Sequence, residues 1–266
     1  TLVQTTLSKA KEASYLASNG TGSNSWSILS IVAAGGSSTA GFSVYHSDGR
    51  GVLRASTSVP SDSYTVTLQV QDSAGSVETY VVTFRVNAAI SITGGSNITT
   101  TFGRADSSTA YTTTGGTDPF RWSITSAGGS EPTIDSVTGV ISASKTLPVG
   151  TYNRTITVTD TTGATATKAV RVIVNAAVTV TTGSSVATTY GFASQSSSFG
   201  KSGGTGVVTL SMTPINPGVT FEVGAESATL IVKVDSSLAV GTYYETVVAT
   251  DSLGETGTKS VVITVN

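Results

Sequence analysis

The chain alternates apolar and polar residues over many short segments, and this alternation is the main indicator of its secondary structure. In residues 64–70, Tyr, Val and Leu alternate with Thr and Gln. Residues 152–158 repeat the pattern with Tyr, Ile and Val against Asn and Thr. A period of two predicts strands with one face in a core and one hydroxyl-rich face in water. Only Leu7–Leu16 is ambiguous between helix and strand.

A longer motif, Tyr-x7-Asp-x2-Gly-x11-Asn, occurs three times, and its copies begin 88 and then 91 residues apart. Self-similarity of this kind indicates a tandem array. We therefore predict three homologous domains, residues 1–87, 88–175 and 176–266, which we call units 1, 2 and 3. The motif positions are Tyr64, Asp72, Gly75 and Asn87, then Tyr152, Asp160, Gly163 and Asn175, then Tyr243, Asp251, Gly254 and Asn266.

The Asp-x-x-Gly step between two strand-like segments predicts a hairpin turn in each unit. Asp suits the first turn position, and Gly accepts the positive φ that such a turn requires. Many short strands in units of about 88 residues are typical of antiparallel sandwiches. The predicted fold class is therefore all-β.

The segment LPVGTYNRTITVTDTTGATAT, residues 147–167, together with Thr138–Ile141, resembles the Ig-like and cadherin-like domains that occur in tandem in bacterial and archaeal surface proteins. The similarity is strongest over the C-terminal half of each unit. It implies three tandem antiparallel Ig-like or cadherin-like β-sandwiches with structural, adhesive or spacer roles. It also implies that Tyr64, Tyr152 and Tyr243 form tyrosine corners, in which the hydroxyl bonds nearby backbone.

Aromatic residues elsewhere divide into a core pair and three candidates for stacking on sugars. Trp26 and Trp122 occupy equivalent positions, and we expect both to pack between the sheets. A carbohydrate site would instead use exposed aromatics, for which Tyr45, Phe120 and Tyr244 are the candidates.

The two domain junctions read Asn87-Ala-Ala and Asn175-Ala-Ala, with no flexible spacer before the next strand. Such joints are short and stiff, so we expect a rod on the order of 100 Å long. Calcium would need several carboxylates at each junction, and neither junction offers one. We expect no interdomain calcium site and assign Asp72, Asp160 and Asp251 to turns.

Unit 1 lacks a counterpart of the segment that opens the other two units, which is AAISITGGS at 88–96 and AAVTVTTGS at 176–184. Its first strand is therefore missing. Three explanations stay open at this point. The chain is a fragment of a longer array, or residues 1–7 are re-routed, or a neighbouring subunit supplies a strand and drives polymerisation.

Composition excludes several classes of function. Charged residues make up 11%, Ser and Thr about a third, and the net charge is −2, so no basic surface for nucleic acid is expected. The chain has no cysteine and only one histidine, His46, which we place in an exposed turn. No catalytic, metal or cofactor site and no membrane-inserted segment is predicted.

Two covalent modifications remain to be weighed. Lys168 and Lys259 occupy matching positions, but each lies on the strand that already ends in Asn, and no opening strand carries a lysine, so we expect no Lys–Asn isopeptide bond. Sequons for N-glycosylation occur at Asn19, Asn97 and Asn153. Three is the number that chance predicts for this composition, so they are weak candidates.

The sequence thus favours a non-enzymatic, self-associating structural subunit at the cell surface or outside the cell. The assembly would be a prokaryotic filament, a pilus-like fibre or an S-layer joined through β-strand edges. The alternative is a stalk or ligand-binding segment of a large adhesin or of a secreted carbohydrate-active protein, with surface glycans as partners.

Overall fold

The computed structural model describes residues 2–213, 215–225 and 228–266. In these residues the chain is built from β-strands joined by turns, which confirms the all-β fold class. The ladders of the described residues each lie within one predicted unit, and none joins two units. Each unit pairs two main sheets in the Ig-like manner.

Unit 1 contains a four-stranded sheet of order β1-β7-β6-β3 and a three-stranded sheet of order β2-β5-β4. Its strands are β1 Leu2–Thr6, β2 Lys11–Leu16, β3 Ser25–Ala33, β4 Phe42–Ser47, β5 Arg50–Ala55, β6 Asp62–Gln71 and β7 Val77–Asn87. The ambiguous segment therefore ends in a strand, β2.

Unit 2 forms its main sheet from β12-β15-β16-β9, with the shorter sheets β10-β14-β13 and β11-β8. Its strands are β8 Ser91–Gly94, β9 Ile98–Thr101, β10 Asp106–Ser107, β11 Tyr111–Thr114, β12 Arg121–Ile124, β13 Thr133–Ile134, β14 Ile141–Ala143, β15 Gly150–Thr159 and β16 Thr165–Asn175.

Unit 3 forms the sheets β18-β25-β24-β21 and β17-β20-β23-β19, with β22 also paired to β23. Its strands are β17 Thr179–Thr182, β18 Val186–Thr188, β19 Ser194–Gln195, β20 Phe199–Ser202, β21 Thr209–Thr213, β22 Val219–Val223, β23 Leu230–Val234, β24 Gly241–Thr250 and β25 Thr256–Val265.

The sandwiches are antiparallel, as predicted, except for one strand pair that recurs in every unit. Strands β1, β9 and β18 run parallel to the last strand of their units, β7, β16 and β25. One strand of each pair lies near the start of its unit and the other is the last strand, so the chain crosses the sandwich between them. A parallel pair requires such a long connection rather than a hairpin.

The predicted hairpins join the last two strands of each unit. Gly75, Gly163 and Gly254 have φ of 88°, 77° and 83°, and each donates its N–H to the carbonyl of the motif Asp three residues earlier. Positive φ costs glycine almost nothing because it has no Cβ. The turn fixes the register of both strands.

Each unit has its own hydrophobic core with contributions from both sheets. In unit 1, Leu53 comes from one sheet and Tyr64 and Phe84 from the other, and all three are fully buried. Burial of a large apolar side chain contributes about 1.5–3 kcal/mol. Because the three cores are separate, each sandwich is stabilised by its own core. The contacts at the junctions determine how neighbouring units are oriented.

Candidate functional site

The motif tyrosines form corners at the start of the penultimate strands. Tyr64, Tyr152 and Tyr243 each donate a hydroxyl hydrogen bond to the carbonyl oxygen four residues earlier, at 2.8, 2.8 and 2.9 Å. Burial raises the pKa of Tyr64 above its ordinary value, so the hydroxyl stays a donor at neutral pH. These tyrosines have the structural role that the resemblance implies.

The motif aspartates form the predicted turns with one carboxylate oxygen. In Asp160, Oδ1 accepts the N–H groups of Thr162 and Ala164 at 2.8 and 2.9 Å. Asp72 and Asp251 accept the two equivalent N–H groups in their own turns. The second oxygen, Oδ2, is left for another partner.

At the junction of units 1 and 2, that second oxygen ends a chain of hydrogen bonds across the interface. Asn87 donates from Nδ2 to Thr117 Oγ1 at 2.9 Å, and the Oγ1 atoms of Thr117 and Thr6 are 2.9 Å apart. Thr6 in turn donates to Oδ2 of Asp160. Because a hydroxyl has only one proton, Thr117 must be the donor to Thr6. We call this arrangement the junction relay.

The junction of units 2 and 3 repeats the relay with equivalent residues. Asn175 donates to Thr205 Oγ1 at 3.0 Å, Thr205 lies 2.8 Å from Thr101 Oγ1, and Thr101 donates to Asp251 Oδ2 at 2.5 Å. Arg104 adds a bond to a unit 3 carbonyl at 3.0 Å. The same arrangement of one Asn, two Thr and one Asp therefore joins the units twice.

Both relay carboxylates are almost completely buried, at 5% exposure. Burial acts to raise the pKa of Asp160 and Asp251, but hydrogen bonds from the relay threonine and from the turn N–H groups outweigh it, so each pKa lies below its ordinary value. Both groups are therefore charged at neutral pH, and each relay ends in a full negative charge.

The linkers follow the same path at both junctions. The carbonyls of Ala88 and Ala176 accept the N–H groups of Gly116 and Gly204 at 2.8 and 2.9 Å. A Cβ on Gly115 would lie 2.2 Å from a linker carbonyl oxygen, and one on Gly203 would lie 2.0 Å from the equivalent oxygen. The residue two positions before Thr117 and Thr205 is glycine because the linker carbonyl oxygen leaves no room there for a side chain.

In units 2 and 3 the strand after the linker closes one edge of the sandwich. Strand β8 pairs with β11, and β17 pairs with β20. Lys168 holds the first of these strands, because its Nζ donates to Gly94 O at 3.1 Å and lies 5.3 Å from the ring centre of Tyr111. Lys259 holds β17 in the same way, over the ring of Phe199. These lysines therefore pair with backbone carbonyls.

The corresponding place in unit 1 is an open groove. Among the described residues no strand lies there, and β2 is an edge strand. The cavity has a volume of about 680 Å³ and is lined by residues of β2, β3, β6 and β7 and the following turns. Strand β1 is not re-routed, because it occupies the place of β9 and β18. The place that no strand of the described residues occupies is thus the one that β8 and β17 fill in the other units.

Three aromatic side chains line this groove, which we call the unit 1 groove. Tyr80 stands where units 2 and 3 have their lysine, and its ring centre is 5.1 Å from that of Tyr15. The Trp26 Nε1 and Tyr15 Oη atoms are buried and have no hydrogen-bond partner among the described residues. Burial raises the pKa of Tyr15 above its ordinary value. The groove therefore offers an apolar floor with two unused polar groups.

The two tryptophans pack against the cores of their units but differ in burial. Trp122 is only 6% exposed and belongs to the core of unit 2. Trp26 is partly buried and packs against the core of unit 1 from the groove. The difference arises because no strand covers Trp26.

The other predicted positions lie on the surface and are not brought together. Asn19, Asn97 and Asn153 are all exposed, as is His46 at the end of β4. Tyr45 and Tyr244 are 42% and 67% exposed, and Phe120 is partly buried. They belong to different units, so they do not form one sugar-binding platform.

No group of three or more His, Cys, Asp and Glu residues that could hold a metal ion occurs within residues 2–213, 215–225 and 228–266. The same residues contain no helix long and apolar enough to cross a membrane.

No protein-family model matches the sequence, and a comparison with curated proteins finds no significant relative. Among solved structures, three immunoglobulin domains of titin align over 100% of this chain and 95% of theirs, at 11% identity and a TM-score of 0.45. Sidekick-1 immunoglobulin domains 1–4 align over 100% of this chain and 74% of theirs, at 12% identity and a TM-score of 0.39.

An endo-fucoidan hydrolase of glycoside hydrolase family 107 also aligns, over 99% of this chain and 43% of its own, at 14% identity and a TM-score of 0.33. The Ig-like assignment of this chain rests on the strand order and register described above.

Proposed function

We propose that this chain is a structural subunit of a prokaryotic extracellular filament, pilus-like fibre or S-layer, and that subunits join through β-strand edges. The observation that carries the proposal is the unit 1 groove, which lies where units 2 and 3 each hold a strand. The junction relays support it, because a subunit of a fibre must keep a fixed geometry between its domains.

Strand addition suits the groove for a physical reason. The free edge of β2 presents backbone N–H and C=O groups, and an added strand would pair with them as β8 pairs with β11. Leu16, on β2 at the groove, is 62% exposed, so an apolar segment would also shield it from water.

The chemistry of the donor follows from the strands that fill the equivalent place. Residues 88–94 and 176–182 are uncharged, with apolar side chains at alternate positions. In units 2 and 3 a lysine donates a hydrogen bond to a backbone carbonyl of this strand. Tyr80 replaces that lysine in unit 1, so the donor strand need not place a carbonyl oxygen at this position. The donor is therefore an uncharged, alternating strand from a neighbouring subunit.

The test compares self-assembly of the wild-type chain with that of two surface variants. We expect wild type to form filaments or sheets in electron micrographs and high-mass species in light scattering. Leu16→Glu places a charge at the groove and should abolish them. Val137→Glu changes a residue of unit 2 that is 67% exposed and should assemble normally.

A second experiment supplies the strand directly. A synthetic peptide of residues 88–96 should alter the fluorescence of Trp26 in a Trp122→Phe background, in which Trp26 is the only tryptophan, whereas a scrambled peptide should not. No assembly by wild type, together with no response to the peptide, would refute the proposal.

The aromatic lining favours one second function, a ligand-binding or stalk segment of a large adhesin or of a secreted carbohydrate-active protein. Tyr15, Trp26 and Tyr80 supply aromatic rings on which a sugar would stack. In that case the chain should remain a monomer, and soluble oligosaccharides rather than the peptide should alter Trp26 fluorescence.

A further inference from the structure

We propose that two copies of this chain dock head to tail by forming a third junction relay between them. Thr189 and Asn266, at the far end of unit 3, form the donor face, which we call the Asn266 face. Thr21 and Asp72, at the far end of unit 1, form the acceptor face, which we call the Asp72 face. The inference rests on the proposed self-association. The Asp72 face lies at one end of the unit 1 groove, whose lining includes Thr21 and Asp72, but the docking does not use the free edge of β2.

The Asp72 face has the geometry that the acceptor side of each relay has within the chain. The Thr21 N–H donates to Asp72 Oδ2 at 2.9 Å, as those of Thr117 and Thr205 do to their aspartates at 3.0 and 2.9 Å. Oδ1 of Asp72 is occupied by its turn, and backbone hydrogen bonds led by that from Thr21 lower its pKa. The face therefore presents a charged acceptor.

The Asn266 face has the geometry of the donor side. Its backbone carbonyl accepts the Tyr190 N–H at 2.8 Å, as those of Asn87 and Asn175 accept the equivalent N–H groups at 2.9 and 2.8 Å. Thr189 follows β18 at the position that Thr6 and Thr101 have in units 1 and 2, and it is exposed. Each face thus carries the half of the relay that the other lacks.

The residues beside the relay are also compatible across the proposed interface. At the second internal junction Arg104 lies 3.7 Å from Glu255, so a cation meets an acid. Phe192, which is 69% exposed, has the place of Arg104 on the Asn266 face, and Ser76 has the place of Glu255 on the Asp72 face. An apolar ring would meet a small neutral residue, so docking would bury no unpaired charge.

Asn19 indicates that the docked partner is a separate chain. It has φ of 68° and stands at the position of Gly115 and Gly203, whose φ values are 71° and 74°. Its Cβ occupies the space that the linker carbonyl fills at those glycines. A linker on the internal path would collide with Asn19, whereas a second copy need not route a chain across it. A glycan on Asn19 would fill the same space, so docking requires this residue to be unmodified.

Disulfide trapping tests the docking in a chain that contains no cysteine. The Oγ atoms of Thr101 and Thr205 are 2.8 Å apart, so cysteines at this pair should form a disulfide within one chain and serve as the positive control. Thr21 and Thr189 are the corresponding pair across two chains. Oxidising a mixture of Thr21→Cys and Thr189→Cys chains should therefore give a heterodimer.

Each single variant oxidised alone should give no more dimer than the exposed-site control Ser91→Cys. A heterodimer yield at the level of that control would overturn the proposal. Equal homodimer and heterodimer yields would overturn it as well, because they would mean random collision.

Valine variants separate this docking from strand addition. Thr189→Val removes the hydroxyl that would reach Asp72 and should weaken head-to-tail association about tenfold or more, as expected when a hydrogen bond to a charged acceptor is lost. Leu16→Glu should block strand addition and leave the trapped heterodimer unchanged. Assembly that survives Thr189→Val and fails with Leu16→Glu would overturn head-to-tail docking and retain the proposed function.

Discussion

The junction relays should determine how firmly the units are held together, and a single hydroxyl tests this. Thr6→Val keeps the shape of a side chain that is 1% exposed but removes its hydrogen bond to Asp160. It also leaves the Thr117 hydroxyl without its acceptor. A hydrogen bond to a charged group contributes about 1.5–3 kcal/mol, and an unsatisfied buried donor adds a further cost. We expect the closed junction to lose about 2–4 kcal/mol in free energy.

Hydrogen exchange is the appropriate assay because a junction can open while both units stay folded. The Asn87 side-chain N–H donates across the junction to Thr117 Oγ1 at 2.9 Å, so its exchange reports opening of this interface. A loss of about 2 kcal/mol lowers its protection about 30-fold. The core amides of β6 and β15 should keep their protection, because the hydrophobic cores of the two units are separate.

The chain provides a matched control at the third equivalent position. Thr189→Val makes the same change on a face that has no partner among the described residues, and in the monomer it should leave all amides as protected as in wild type. If Thr6→Val also left the exchange of the Asn87 side-chain amide unchanged, the relay would contribute nothing to junction stability and the reasoning above would be refuted.

Three further predictions follow from the same geometry. The pKa values of Asp160 and Asp251 are lowered in the folded chain. Their contribution to the stability of the closed junctions is therefore present above the ordinary carboxyl pKa and is lost as the pH falls through the lower folded value. Below about pH 4, small-angle scattering should therefore show looser junctions. Tyr152→Phe should lower the free energy of unfolding by about 0.5–1.5 kcal/mol in thermal denaturation, while Tyr244→Phe, at an exposed site, should not. Lys168→Met should increase hydrogen exchange in β8, because the bond to Gly94 and the contact with Tyr111 are lost.

Alternation and the repeated motif were enough to predict the strands and the hairpins, and the resemblance to Ig-like domains implied the tyrosine corners, because all of these depend on neighbours close in sequence. The parallel pairing of β1 with β7 could not be predicted, since parallel and antiparallel strands share a period of two. The direction of a terminal strand depends on where the chain enters the sandwich. That is a property of the whole unit.

The role of Asp160 and Asp251 as acceptors in the junction relays was missed for a similar reason. A turn uses one carboxylate oxygen, and nothing near Asp160 in sequence indicates what binds the other. The signal lay elsewhere, in a threonine after two glycines at Thr117 and Thr205, and in Thr6 and Thr101 next to an apolar residue. These threonines recur at equivalent positions, but only the folded chain brings them to the aspartates.

Unit 1 has different residues at the positions that contact the linker and the first strand in units 2 and 3. Asn19 replaces a glycine that the linker requires, and Tyr80 replaces a lysine that binds the first strand. The acceptor side of the relay, Thr21 and Asp72, is nevertheless kept with its geometry intact. Asp72 is needed for its hairpin turn in any case, but the side chain of Thr21 takes no part in that turn, so an unused surface would give no reason for a threonine at this position. Retention of the acceptor together with loss of the linker contacts is the pattern that a non-covalent neighbour would require.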